Sequence, residues 1–299
     1  MTICTTAYVS GYTKDRLLSK AEGEVILVHS TGVYLRFGTE VFLLCDKKWG
    51  LLPIGITVAH FDRTICSLQL EVGQPILREN GLIIFPGGSM RLCPMPETTD
   101  TLCTEKPNPE AILQAAEELA ALQKTTGLSM LVLPIILGRP CDAALWQNPY
   151  FSRAHHCLDK LVNVIQRDEF DEIERNVKAL LGLGTGLTPS ADDIFMGMLY
   201  VFCRLHHGDF LGISLFQILI MKYSGTHTSQ ISAAYLKAIL HGAPFERMEQ
   251  VYRGVCGTDL LNIDKLVQIG SNSGSEMLLG MLIALRICGY DVSKKERSQ

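Results

Sequence analysis

The sequence predicts an α+β protein: a β-rich, barrel- or sandwich-like N-terminal domain followed by a mostly α-helical C-terminal domain. Three observations carry this. Short β-branched and aromatic runs recur through the first ninety or so residues, separated by turn residues. A proline-rich stretch without apolar period follows, PMPETTDTLCTEKPNP over 94–109. Beyond it the apolar period becomes helical. The expected division is a β-rich domain over 1–93, a linker over 94–109 and a helical domain over 110–299.

The expected strands are Val25–His29, Val33–Phe37 and Val41–Cys45, separated by Thr31-Gly32 and Gly38-Thr39. Ile54–Val58, Ile65–Leu70 and Pro75–Arg78 follow. Asn80-Gly81 signals a hairpin, because both central positions of a type I′ turn want φ > 0. Leu82–Phe85 returns and Pro86-Gly87-Gly88 closes it. Pro86-Gly87-Gly88-Ser89 reads as a strand-ending turn rather than an oxyanion loop.

In the second half, Glu110–Lys124 is Ala/Leu/Glu/Gln-rich with Pro109 at a helix start. Met130–Leu137 fits either a buried strand or a helix broken at Pro134. Further helices are expected over about 151–166, 169–181, 189–206, 211–222, 228–240, 244–252, 259–268 and 274–288.

Composition excludes several classes. With 47% hydrophobic and 19% charged residues the chain folds and packs. Residues 1–106 hold 10 of the 27 basic and 11 of the 31 acidic side chains, so neither half is basic. A nucleic-acid partner is therefore not expected. Ile194–Cys203 and Met277–Leu285 are about half the length that spans a bilayer, so no membrane is expected either. MTICTTAYVSGYTKDRLL lacks a basic region followed by an apolar core. Ten cysteines without regular spacing read as free thiols of a cytoplasmic protein. The adjacent pairs His155-His156 and His206-His207 diverge on a helix, and no HExxH or paired Cys/His spacing exists, so zinc is not expected. No Gly-x-Ser-x-Gly elbow supports a serine hydrolase.

The chemistry concentrates in Gly182-Leu-Gly-Thr-Gly-Leu-Thr-Pro-Ser-Ala-Asp-Asp193. Gly182, Gly184 and Gly186 precede a helix that Thr188 would cap, with Pro189 in its first position. Glycines let backbone N–H groups converge on an anion, and the helix N-terminus favours one. Thr188 and Ser190 add hydroxyls. Asp192 and Asp193 would repel a bare phosphate, so they are candidates for Mg²⁺ ligation or proton transfer. No Gly-Lys-Ser/Thr follows, so this is not a Walker A loop. As a purely structural element the same segment is a well-capped helix whose aspartates complement its dipole.

A second segment repeats the first. Residues 188–199, TPSADDIFMGML, align without a gap on 271–282, SNSGSEMLLGML, at an offset of 83. Asp193 corresponds to Glu276 and Gly197 to Gly280. The two helices are expected to cross at those glycines with their polar N-termini, including Ser273, on one side. Ser224-Gly-Thr-His-Thr-Ser-Gln-Ile-Ser232 supplies a third hydroxyl-rich helix start, with Thr228 in it. Convergence of the three would make an anion site. His227 is a candidate acid/base group, and Lys222 and Arg253 are candidates to neutralise a carboxylate substrate, though all three read first as solvated surface groups.

Residues 182–193 resemble the GLGPGLTPSGDD signature of the bacterial AllH family, which includes a subunit of the oxamate carbamoyltransferase of anaerobic allantoin catabolism. The resemblance extends over most of the chain: Val25–Phe37 is similar to a strand near the family's start, Thr228–Lys237 to its TxxSxxYLxxA helix, and Ile269–Gly280 to its IGxxSGxxxLxG segment. Thr185 and Ala191 replace the family's Pro and Gly, and Ser271-Asn272 stands where His-Thr is usual. The resemblance implies phosphorolysis of oxalurate to oxamate and carbamoyl phosphate beside two other subunits. Gly184, Gly186, Thr188, Ser190, Thr228, Ser273 and Glu276 would then bind phosphate or a carboxylate. Asp192 or Asp193 would bind Mg²⁺ or move a proton at the ureido nitrogen. Carbamoyl transfer needs two anions held close and developing charge stabilised, which polar helix N-termini can do.

Two rival readings share these residues. A Gly/Ser-rich loop with two acids also suits an ATP-dependent kinase-like site. A non-catalytic scaffold subunit would use apolar helices such as Ile213–Ile220 against a partner, with the glycine loop structural. The apolar content predicts a homo-oligomer or hetero-oligomer.

Overall fold

The computed structural model describes residues 3–18, 21–95, 105–124, 126–205 and 211–292. It divides into two compact units, Met1–Asp100 with His241–Glu246, and Thr101–Leu240 with Arg247–Gln299. Most of the expected linker, 96–104, and the pair His206-His207 lie outside the described residues.

The first unit is a closed barrel with helical plugs. Its elements are β1 (Ile3–Val9), α1 (Gly11–Leu18), β2 (Glu22–His29), β3 (Gly32–Phe37), β4 (Glu40–Asp46), β5 (Gly55–Val58), α2 (Phe61–Leu68), β6 (Pro75–Glu79), β7 (Leu82–Phe85) and β8 (Gly88–Pro94). The strands run around the barrel in the order β1-β5-β4-β3-β2-β6-β7-β8. Parallel pairing of β8 with β1 closes it, and β4 with β5 is also parallel. Alternate residues point inward: Val33, Leu35 and Phe37, then Ile56 and Val58, then Ile83 and Phe85, all buried in one core. Asn80 and Gly81 both have positive φ, 51° and 76°, as the type I′ turn requires.

Of residues 65–70, expected as a strand, 65–68 are instead the end of α2, and Gln69 turns left-handed after it. Buried Phe61, Thr64 and Leu68 recur at helical spacing, and Asp62 lies in the first turn. β1, α1 and β8 were not expected. Pro86-Gly87-Gly88-Ser89 is a turn that leads straight into β8, with Gly88 paired to Phe85 and Ser89 to Ile84. His241–Glu246 belongs to this unit through mutual bonds. The Glu246 N–H donates to the Leu51 carbonyl at 3.0 Å, and the Leu51 N–H donates to the Glu246 carboxylate at 2.9 Å.

The second unit holds α3 (Pro109–Ala121), α4 (Pro149–Gln166), α5 (Phe170–Leu180), α6 (Ser190–Phe202), α7 (Leu211–His227), α8 (Gln230–Leu240), α9 (Glu246–Val255, from Arg247 on), α10 (Asp264–Val267) and α11 (Ser273–Ile287). Asn108 caps α3 by accepting the Glu110 N–H, with Pro109 in the first turn, and Asn148 with Pro149 repeats the device at α4. Met130–Leu137 is neither expected alternative. It forms a 3₁₀ turn, Ser129–Leu131, and then a single π turn, Leu133–Leu137, in which Pro134 supplies no N–H. α3 stops at Ala121, short of the expected Lys124, and Gln123 turns left-handed at φ 44°.

All of α6 and nearly all of α11 are buried, and these two helices form the centre of the unit. A Cβ on Gly197 would lie 1.9 Å from the Met277 carbonyl oxygen, and one on Gly280 would lie 1.9 Å from that of Ile194. Met277 is the offset-83 counterpart of Ile194, so the contact is two-fold symmetric. Thr188 meets Ser273 at the N-terminal end, hence the helices run parallel. The crossing at both glycines is the one the internal repeat predicts. Among the described residues no helix is long and apolar enough to cross a membrane, and the eight described cysteines are free thiols.

Candidate functional site

The glycine loop is held from three sides. Gly182 has φ 76°, and a Cβ there would strike the His227 carbonyl oxygen at 2.2 Å, so backbone meets backbone where α7 ends. Gly184, at φ 122°, packs on the backbone of Ser190. The Leu183 carbonyl accepts the Ala191 N–H at 3.0 Å, so the loop caps the helix it precedes. This displaces the expected cap. α6 begins at Ser190, Pro189 stands outside it at ψ 146°, and the Thr188 hydroxyl donates to Asp193 Oδ2 at 3.1 Å instead of accepting a backbone N–H. Gly186 and its neighbours Thr185 and Leu187 form the exposed tip.

The third hydroxyl-rich segment is not a single helix start. Ser224–His227 is the last turn of α7, and α8 opens only after Ser229, whose hydroxyl accepts the Ser232 N–H at 3.0 Å. The same hydroxyl donates to the Leu187 carbonyl at 2.5 Å, which fixes the loop tip. His227 is exposed, against Tyr223 and the Thr226 hydroxyl.

The adjacent aspartates diverge, as neighbours on a helix must. Asp192 faces α8. Its Oδ1 accepts the Gly182 N–H at 2.8 Å, and its Oδ2 accepts the Ser232 hydroxyl at 2.7 Å and the Thr228 hydroxyl. Asp193 faces α11, where the Ser273 hydroxyl also bonds its carboxyl. Its Oδ1 is enclosed and has no hydrogen-bond partner. Glu276 mirrors Asp193. It accepts the Leu128 N–H at 2.8 Å and a bond from Ser190, so each helix's acid takes the other helix's N-terminal serine. The residues singled out in sequence thus come together around buried carboxyls, apart from Gly186 at the tip. They fit Mg²⁺ poorly: a cation between the aspartates would have to displace the donors on Asp192. Among the described residues no group of three or more His, Cys, Asp or Glu side chains is placed to hold a metal.

Burial raises all three carboxyls above their ordinary values. Asp193, with Glu276 beside it, is raised well above. Protonated, it no longer repels an anion and becomes a donor. The native chain therefore binds more protons than the unfolded chain between the ordinary value, 3.8 for Asp193, and the raised native value. The contribution to stability is full below the ordinary value and is lost as pH rises through that window. Asp193→Asn, which imitates the protonated form, is expected to flatten this decline. Urea unfolding of both chains between pH 4.5 and 8 measures the difference; parallel curves would mean that Asp193 ionises normally in the native state.

Sequence reasoning missed one side chain at this place. Lys124, read as the end of α3, lies beyond it, and its Nζ donates to the Ser271 carbonyl at 2.6 Å. Thr126 Oγ1 donates to Asn272 Oδ1 at 3.3 Å, so the segment that follows α3 lies along the N-terminus of α11. The signal was present in Gln-Lys-Thr-Thr-Gly over 123–127, a polar turn with a glycine.

No solved structure matches the chain. A family model does, over the part that carries the glycine loop, both repeat segments and α8. From residue 180 to residue 285 the chain matches the AllH family, described as oxamate carbamoyltransferase subunit AllH, and in that span it is AllH-like.

Proposed function

We propose that this chain is a subunit of a carbamoyltransferase and holds a small anionic substrate at the adjoining N-termini of α6 and α11. The observation that carries the reading is the pairing of those two polar termini, Thr188 Oγ1 to Ser273 Oγ at 3.4 Å, directly over the Asp193 carboxyl. Helix N-termini supply fixed positive potential without reorganisation during the reaction. The substrates implied by the matched family are oxamate or oxalurate with carbamoyl phosphate or phosphate. In phosphorolysis a phosphate oxygen attacks the ureido carbonyl carbon, and the bond from that carbon to the oxamate nitrogen breaks. The proton carried by hydrogen phosphate ends on the departing nitrogen, and a carboxyl that burial pushes well above its ordinary value, Asp193, suits its passage. Asp192, with three donors on it, positions the glycine loop.

Calorimetric titration tests this reading, using the full chain alone and with its partner subunits. The ligands are phosphate, carbamoyl phosphate, oxamate and ATP, each with and without Mg²⁺. Oxamate or carbamoyl phosphate is expected to bind, and Thr188→Ala, which removes the hydroxyl bonded to Asp193, to weaken binding by about fivefold to tenfold. Binding of ATP alone would replace the reading with phosphoryl transfer. Absence of binding in the assembled complex would leave the chain a scaffold.

A further inference from the structure

We infer that Lys124 is the cationic ligand-binding residue of this site, an inference that rests on the function proposed above. Three features of the chain around Lys124 support it. Termination of α3 at Ala121 and the left-handed turn at Gln123 take Lys124 off the helix surface and bring its Nζ to the N-terminal approach of α11. One of its three protons is used there, on the Ser271 carbonyl. Among the described residues no carboxylate forms an ion pair with it.

The acid that acts on it is Glu276, already engaged by the Leu128 N–H and Ser190. Burial displaces Glu276 and Asp193 towards their neutral forms and lowers Lys124 itself, while the Glu276 charge favours the ammonium form. The second, independent observation is Asp193 Oδ1. It is a fully enclosed polar atom under the Thr188 and Ser273 hydroxyls that the protein itself does not satisfy. A helix N-terminus, a lysine beside it with two unused protons and an unsatisfied carboxyl oxygen under the Thr188 and Ser273 hydroxyls are together what a small anion with a polar second group would complete. The anionic group, phosphate or carboxylate, would take the free Lys124 protons.

A lysine that merely ties the segment after α3 to the Ser271 carbonyl would affect stability but not ligand affinity, and Lys124→Met and Lys124→Arg separate the two roles. Titrations of wild type, K124M and K124R with inorganic phosphate and with oxamate, in the chain and in the assembled complex, are read beside their thermal midpoints. The expected result is an affinity lower by about tenfold to a hundredfold in K124M for the ligand whose anionic group sits there. Most of it should return in K124R, and the anion-induced rise in thermal midpoint should be lost in K124M alone. Phosphate and oxamate responding unequally identifies which anion Lys124 holds. Equal affinity in wild type and K124M overturns this inference and leaves the proposed function standing. Failure of wild type to bind either anion, even in the complex, overturns both. If K124M does not fold, the comparison of K124R with K124Q decides, since both keep a polar side chain and only one keeps the charge.

Discussion

Gly280→Ala is expected to destabilise the helical unit by about 3–5 kcal/mol, or to prevent its folding, and Gly197→Ala to do the same. In an isolated helix either change would stabilise by about 1 kcal/mol, because alanine is the better helix former. The sign reverses because the added Cβ would lie 1.9 Å from a backbone carbonyl oxygen of the partner helix, Ile194 for Gly280 and Met277 for Gly197. A backbone oxygen cannot rotate away as a side chain can, so the helices must separate along their length. Every residue of α6 is buried, so separation opens packing on all its faces. Gly225→Ala is the control. It lies within α7 with nothing within 4 Å of its would-be Cβ, and it should gain up to about 1 kcal/mol. Urea denaturation of the three variants measures this; a Gly280→Ala chain as stable as wild type would mean the helices are not in contact there.

Asp192→Ala is the second large effect, expected at about 3 kcal/mol with loss of the loop's conformation. Three donors lose their acceptor at once: the Gly182 N–H, the Thr228 hydroxyl and the Ser232 hydroxyl. The hydroxyls can rotate to new partners, but the Gly182 N–H is fixed by a backbone already pressed against the His227 carbonyl. Asp192→Asn should cost far less. Its amide oxygen can still accept from Gly182, while its NH₂ faces two hydroxyls able to turn and accept. Hydrogen exchange at residues 182–188 reads the outcome. Equal protection in wild type and Asp192→Ala would show that the loop does not depend on this carboxylate; equal destabilisation by Ala and Asn would show that charge, not geometry, matters.

Much of the helical unit was legible because helix signals are local. Pro109 marks a helix start, and Gly197 and Gly280 in register mark the crossing. The barrel was legible as strands but not as a closure. Its closing pair, β1 with β8, joins segments some eighty residues apart, and β8 begins inside what reads as a turn. Ile65–Leu70 was misread because an apolar run of that length fits a strand, and only its packing on the barrel core shows the helical period.

In the site, sequence by itself determined which residues are chemically capable: three glycines ahead of a helix, paired hydroxyls, and acids repeated at an offset of 83. Only the tertiary structure decided what each does. It tied Asp192 to the glycine loop and α8, enclosed Asp193 with one oxygen unpartnered, and delivered Lys124 from outside the motif. The physical reason is that residue type and local backbone preference are written in short windows, whereas burial, charge compensation and the partner of each polar atom depend on segments distant in sequence. Lys124 meets Ser271 across 147 positions, and no window of the chain contains both.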